Sequence, residues 1–299
     1  MTHQRVIAVV FDCDKTLTPN YMQLPLFEAY GIDNQSFWRE TDEFVHRTNE
    51  LGTNLDPELG YLNMMLRHVK AGKLEGLSNA KLRELGGEIE FFEGLPGFFK
   101  NIKKHVAETT SGYDITLEQY VISTGLTQML EGSKIADYMD GMWGCEFVEE
   151  DGVISQIART VSYTEKTRFL HELRKGCNVD QDIHVNSDMP RELRRIPFHN
   201  MIYVGDGPSD IPCFATLNKN GGTSIAIYHP DNQAAFEQAY DLRQRDRVFA
   251  IGPGDFTNDS HTKKLLYQAV EKKADAIIKR ILAERAVRDA RIHEPPRHV

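Results

Sequence analysis

The sequence predicts an α/β protein, a doubly wound parallel sheet carrying an inserted, mainly helical domain. Three observations support that expectation. Short continuous apolar runs rich in β-branched residues recur at Val6–Phe11, Tyr120–Ile122, Ile183–Val185, Met201–Val204, Ser224–Ile227 and Val248–Ile251, as suits strands covered on both faces. Helical patterns fall between many of these runs, and such alternation points to a parallel sheet. From Tyr21 to Phe92 the alternation stops, with helical patterns and no good strand candidate.

Taken in order, Val6–Phe11 runs straight into two acids, Asp12 and Asp14. In the strand-free stretch, Pro57–Val69 places Leu59, Leu62, Leu66 and Val69 on one helical face, and Pro57 suits a first turn. Roughly seventy residues is too long for a loop. An inserted helical cap domain over 21–92 is therefore expected, with 1–20 and 93–299 forming the core domain. Leu95–Val106 opens with the turn dipeptide Pro96-Gly97, and Glu165–Leu173 carries Phe169, Leu170 and Leu173 at helical spacing. Thr262–Ala290 has an apolar stripe of Leu266, Val270, Ile277 and Ile281, which predicts a helix docked on its own domain. The tail after Ala290, with Pro295-Pro296, is expected to fray.

Composition narrows the function class. The chain has 299 residues, 40% hydrophobic and 26% charged, as in an ordinary globular protein with room for a core and a smaller domain. A formal charge of −9 argues against a nucleic-acid partner, which dense positive charge would hold. It leaves room for an anionic small molecule in a locally positive pocket. Cys13, Cys145, Cys177 and Cys213 form no CxxC pair, so they read as small reduced side chains, not as a zinc site or disulfide framework. The N-terminal apolar run is too short for a signal peptide, and no stretch is long enough to cross a bilayer. A cytoplasmic monomer or homodimer with no membrane partner is expected.

Four short segments carry chemistry. Asp12 and Asp14 would stand together at the carboxyl end of the first strand, the edge where open α/β sheets bind ligands. Such close carboxylates repel unless a cation or proton lies between them. A turn cap explains one of these acids but not both. Tyr120–Ile122 ends in Ser123-Thr124-Gly125, ordinary turn chemistry that would also supply hydroxyl and amide donors to a phosphate. Lys166 lies near a helix start, where the dipole does not favour a cation. Met201–Val204 ends in Gly205-Asp206-Gly207, with Asp210 four residues after Asp206. Glycines allow close backbone approach, and carboxylate oxygens suit a hard cation such as Mg²⁺.

Together, DxDxT, a hydroxyl, a lysine and GDGxxD, in that order in an α/β chain, resemble the haloacid-dehalogenase-like (HAD) superfamily. The resemblance covers roughly Arg5–Pro19 and Gly94–Ala250, and the insert stands where the phosphoserine-phosphatase-like and phosphoglucomutase-like branches carry theirs. It implies Asp12 as nucleophile and Asp14 as general acid/base. It implies Thr16, Ser123, Thr124, Gly125 and Lys166 as phosphate-binding groups. Mg²⁺ would be held by Asp12, the backbone carbonyl of Asp14, Asp206 and Asp210, the last either as a ligand or through a water. The implied reaction is hydrolysis of a small-molecule phosphate monoester through an aspartyl-phosphate on Asp12. The same intermediate also serves a phosphotransferase or phosphomutase. A non-catalytic phosphate-binding protein is a third class, against which the presence of Asp12, Asp14, Lys166 and Asp206 counts. Dehalogenase chemistry needs neither Asp14 nor Asp206.

Two positions depart from the pattern. Lys15 stands where many members carry a small residue, so Asp12–Thr16 partly overlaps the DKTGT of P-type ATPases. The apolar strand ends at Phe11 and puts Asp12 first, and no membrane spans exist to support that alternative. Cys13 reads as a filler between the acids. The resemblance implies that the insert closes over the site and reads the leaving group. Glu28, Arg39 and Arg47 are the expected readers, the two arginines as anion readers because guanidinium forks grip carboxylates and phosphates. The connection Asn186–Phe198, with Asp188 and Arg191, is longer than the core needs and receives no role.

Overall fold

A computed structural model describes residues 4–292; the Pro295-Pro296 tail lies outside them. β1 (Val6–Phe11) is followed by α1 (Leu24–Ala29), α2 (Asn34–Glu50), α3 (Pro57–Lys70), α4 (Asn79–Gly86) and α5 (Gly97–Thr109). Then come β2 (Thr116–Leu126), α6 (Thr127–Gly132), β3 (Gly141–Glu150), β4 (Val153–Arg159) and α7 (Tyr163–Lys175). The chain ends with β5 (Met201–Gly205), α8 (Ile211–Lys219), β6 (Thr223–Tyr228), α9 (Gln233–Gln244), β7 (Ala250–Pro253) and α10 (His261–Ile292). One sheet has the order β4-β3-β2-β1-β5-β6-β7, parallel throughout except for the antiparallel β3–β4 pair. β1 lies in its middle, and Ile7–Phe11 are buried on both faces, which is why that strand reads as an unbroken apolar run.

The stretch expected to be helical contains α1–α4 and no strand. Asp33 accepts the Ser36 N–H at 2.8 Å and Ser78 accepts that of Lys81 at 3.1 Å, satisfying otherwise orphaned donors at the starts of α2 and α4. An aromatic cluster joins α1, α2 and α3: Phe27–Phe37 centroids lie 4.5 Å apart and Trp38–Tyr61 5.9 Å. The chain returns to the core where the Phe92 N–H donates to Leu17 O at 2.9 Å, tying together the two ends of the helical stretch.

Three expectations need correction. Ile183–Val185 is not a strand: it lies in a turn-rich connection, where the Val185 carbonyl is taken by Lys175 Nζ at 2.6 Å instead of by a neighbouring strand. β3 and β4 were not expected. β3 is dotted with Gly141, Gly144, Glu146, Glu149 and Glu150, which hides its apolar alternation. A signal was nonetheless present. Asp151-Gly152 links the two strands with φ of 50° and 79°, the left-handed pair that Asp-Gly supplies in a two-residue hairpin. The last strand begins at Ala250 and not at Val248, which is buried just before it. α10 docks as expected through Leu266, Val270, Ile277 and Ile281, whereas 282–289 are all exposed.

Candidate active site

β1 delivers Asp12 to the carboxyl edge of the sheet, and the Asp12 N–H still pairs with Val204 O of β5 at 2.8 Å. The chain then turns tightly around the Cys13 carbonyl, which accepts N–H groups from Thr16 at 3.1 Å, Leu17 at 2.8 Å and Thr18 at 3.3 Å. Lys15 takes the left-handed conformation (φ 59°) that the turn requires. Asp12, Asp14 and Thr16 are buried, and Thr16 Oγ1 has no hydrogen-bond partner. A buried, unpaired hydroxyl is a donor in want of an acceptor.

Lys166 reaches this edge from the first turn of α7, fully buried. Its Nζ donates to Asp12 Oδ1 at 2.8 Å, Asp210 Oδ1 at 2.7 Å and Ser209 Oγ at 3.1 Å. Burial alone would lower its pKa, but Asp12 and Asp210 outweigh that and raise it. Asp210 is held on three sides, since Tyr203 Oη donates to Oδ1 at 2.8 Å and the Gly207 N–H to Oδ2 at 3.3 Å. Gly205 permits this approach, because a Cβ there would collide with the Asp210 carboxylate.

Asp12, Asp206 and Asp210 each place one carboxylate oxygen within 4.8 Å of the other two. Burial pushes the Asp12 carboxyl well above its ordinary value against the pull of Lys166, with Asp210 and Asp206 adding to the rise. Burial, then the Asp210 charge, pushes Asp206 up to about 7. Crowded, desolvated carboxylate oxygens of this kind fit a hard divalent cation, which would relieve their repulsion. The Asp14 side chain does not join the cluster. Its Oδ1 accepts the Met22 N–H at 2.7 Å, which leaves the backbone carbonyl as its route to a metal. Burial raises Asp14 to about 6, although the Met22 N–H and Lys166 pull the other way.

Ser123-Thr124-Gly125 lies inside β2, at an irregularity. Ile122 pairs with Trp143 of β3 and Leu126 with Cys145, so the three intervening residues fall out of regular register. Such a bulge frees backbone groups from the ladder. Ser123 is fully buried and its Oγ accepts the Gly125 N–H at 2.9 Å. The Thr124 carbonyl accepts Tyr61 Oη of α3 at 2.7 Å. Met22 closes the same corner, its sulfur accepting the Leu126 N–H at 3.1 Å beside the bare face of Gly125.

Thus Asp12, Lys166, Asp206 and Asp210 come together, with Asp14 and Thr16 on the same turn. Glu28, Arg39 and Arg47 do not join them: all three are exposed on α1 and α2. The side chains that α3 brings over the site are instead Tyr61 and Glu58. Glu58 is buried with Oε2 unpartnered, its pKa raised by burial, and close enough to feel the charge of Lys166. Spacing places Glu58 and Tyr61 on one helix face, but Pro57-Glu58 at a helix start reads as ordinary first-turn chemistry. Beside Asp206 a cavity of about 250 Å³ opens between Lys15, Tyr228, His229 and Asn232.

No family model matches the chain. It is 33% identical over 292 residues to an uncharacterized protein of Borreliella burgdorferi, covering 90% of this chain and 97% of that one, and it belongs to the same family as that protein. Among solved structures it is similar to a HAD family hydrolase of Salmonella enterica serovar Typhi, with a TM-score of 0.53, 19% identity, and 89% of this chain and 72% of that one covered. It is also similar to a probable phosphoserine phosphatase of Vibrio cholerae, with a TM-score of 0.50, 15% identity, and 93% and 68% covered. At these identities the likeness is one of fold: the chain has the HAD-like fold.

Proposed function

We propose that this HAD-like chain is a Mg²⁺-dependent phosphatase hydrolysing a small-molecule phosphate monoester through an aspartyl-phosphate on Asp12. The observation that carries the reading is the grip of Lys166 Nζ on Asp12 Oδ1 at 2.8 Å within the Asp12–Asp206–Asp210 cluster. In the first step an Asp12 oxygen attacks phosphorus, the ester P–O bond breaks, and Asp14 protonates the departing oxygen. In the second, Asp14 takes a proton from a water that attacks phosphorus, which releases phosphate and restores Asp12. A carboxyl raised to about 6 suits a group that gives a proton and then accepts one. Lys166, Thr16 Oγ1, the Ser123 hydroxyl and the Thr124 amide in the β2 bulge would hold the phosphoryl oxygens, while the Gly125 N–H holds Ser123 Oγ in place. Asp12, Asp206, Asp210 and the Asp14 carbonyl would hold Mg²⁺, which supplies charge neutralisation when bound.

Phosphate-monoester hydrolysis needs acceleration of up to about 10²¹-fold. Proton transfer contributes only about 10²–10⁴ of it, so most must come from positioning and charge stabilisation. A preassembled, buried set of charges supports that requirement. In this reading 21–92 is the cap, and Glu58 and Tyr61 line the leaving-group side, where a buried carboxylate disfavours an anionic leaving group.

The burial of Asp12 and Asp14 also suits transfer to an acceptor hydroxyl, because it restricts the access of water. The test is phosphate release from a panel of small phosphate esters, with Mg²⁺ or with a chelator, alongside Asp12→Asn and an added sugar-alcohol acceptor. Mg²⁺-dependent release lost in the variant supports hydrolysis, and a phosphorylated acceptor in place of free phosphate supports transfer. Release that survives both the chelator and Asp12→Asn refutes the assignment.

A further inference from the structure

At the opposite end of the sheet lies a cavity of about 380 Å³ lined by Arg174, Arg191, Arg194, Phe198, His199 and Asn220, with Gln4 and Glu192 on its rim. A 3₁₀ turn, Phe198–Asn200, leads from it into β5, and Asn200 Nδ2 ties that turn to Gln4 O and Val6 O at 3.1 Å each. The cavity therefore sits at the amino ends of β1 and β5. The five residues of β5, roughly 16 Å at strand spacing, separate it from Asp206.

Its charges are unbalanced. Arg280 contacts His199 Nε2 at 3.1 Å and donates to Gln4 O at 2.7 Å, and Lys273 donates to Gly221 O at 3.0 Å, next to Asn220. Among the described residues, none of Arg174, Arg191, Arg194, Lys273 and Arg280 forms an ion pair, and the rim acid Glu192 pairs with none of them. Elsewhere arginines find carboxylates readily: Arg159 with Glu146, Arg168 with Glu165 and Glu172, and Arg195, next in sequence to Arg194, with Glu118. In a chain of net charge −9, a concave cluster of unpaired cations is the exception.

The cations also press on one another. After burial, the charges of Arg194 and Arg191 lower the pKa of Arg174, and those of Arg280 and Lys273 lower that of His199. Arg194 Nε is buried without a hydrogen-bond partner, a costly state for a charged donor. Arg174 lies over the Phe198 ring, 4.7 Å from its centroid, which orients its guanidinium.

We propose that this cavity is a second anion-binding site, for a small soluble ligand carrying two or more phosphate-like groups. Guanidinium forks match phosphate oxygens two at a time. A single phosphate carries a charge of only about −2, less than the cations gathered here, so a di- or triphosphate group fits better than orthophosphate. Nucleic acid would need a basic stripe across a face, whereas Arg174, Arg191 and Arg194 line one concavity in an acidic protein.

The test is calorimetric titration with inorganic tripolyphosphate in a chelator, so that no divalent cation at the Asp12–Asp206–Asp210 cluster can recruit the polyphosphate there. One equivalent should bind, at least tenfold more tightly than orthophosphate and more weakly as salt rises. Arg191→Gln and Arg174→Gln should each weaken binding at least tenfold. Arg39→Gln, an exposed arginine on α2, should leave it unchanged. Among the described residues the Arg191 side chain makes no hydrogen bond or ion pair, so its variant should melt like the parent and report on the site alone. Absence of binding, equal affinity in a folded Arg191→Gln protein, or tighter Arg191-dependent binding of a single-stranded RNA oligomer would each overturn the proposal.

Discussion

At the carboxyl ends of β1 and β5 one buried lysine lies among three aspartates, whereas at the amino ends of the same strands three arginines line a cavity, with Arg280 beside it, and among the described residues no carboxylate is paired to them. In the first cluster Lys166 balances the buried Asp12 and Asp210, but the half-buried Asp206 has no ion pair among the described residues, so the cluster keeps a surplus of negative charge. The second is partly open to water, which lets it stay unbalanced cheaply. The acidic end has room for a cation, and the basic end for an anion. One helix, α7, carries Lys166 in its first turn and Arg174 near its last, so a single rigid element contributes to both.

The largest test of this contrast is Asp12→Asn, a nearly isosteric change. Turnover should fall by about 10⁴-fold or more while the fold persists; a folded variant with normal turnover would remove Asp12 as nucleophile. Next is Lys166→Met, which leaves Asp12 and Asp210 buried without their cation. Urea unfolding should show a loss of about 3–5 kcal/mol, and an unchanged midpoint would mean that the pairing contributes little to stability. Gly205→Ala drives a methyl into the Asp210 carboxylate and should cost about 1–3 kcal/mol, with loss of activity. If a purified Gly205→Ala protein melts and turns over like the parent, the close approach of Gly205 to Asp210 is not required. At the other end, Arg191→Gln should change stability by less than about 0.5 kcal/mol and leave turnover alone. A large loss from that change would erase the distinction between the two clusters.

How much of this the sequence reveals depends on whether a feature is local. Asp12, Asp14 and Asp206 were readable because each follows directly on a buried apolar strand, and Lys166 because it completes their order. The helical stretch was readable from its missing strands and from Pro57–Val69. The β3–β4 hairpin was not, although Asp151-Gly152 announced its turn, because its glutamates and glycines blur the two-residue period. Glu58 and Tyr61 gain meaning only when α3 is laid over β2, a relation no window of sequence contains. Glu28, Arg39 and Arg47 were chosen for chemical type alone, and folding left them on the outside. The arginine cavity joins Arg174 at the end of α7 to Arg191 and Arg194 in a connection without regular strands, a meeting that no window of sequence contains.

The ties around the helical stretch act as an axle and a latch. Leu17–Phe92 and Met22, whose N–H is held by Asp14 and whose sulfur takes the Leu126 N–H, fix two points close to the acids. Any swing of 21–92 pivots there, so the acid/base corner barely travels while α2 sweeps the longest arc. On the far side the β3–β4 hairpin grips the same stretch: the Ile154 N–H reaches Leu77 O at 2.9 Å and the Asn79 N–H reaches Glu149 Oε2 at 2.7 Å. Unlatching forfeits those bonds, each worth about 1 kcal/mol, and must also part α4 from α6, where Arg83 pairs with Glu131 at 2.6 Å, so the hairpin side holds more firmly than its two bonds alone.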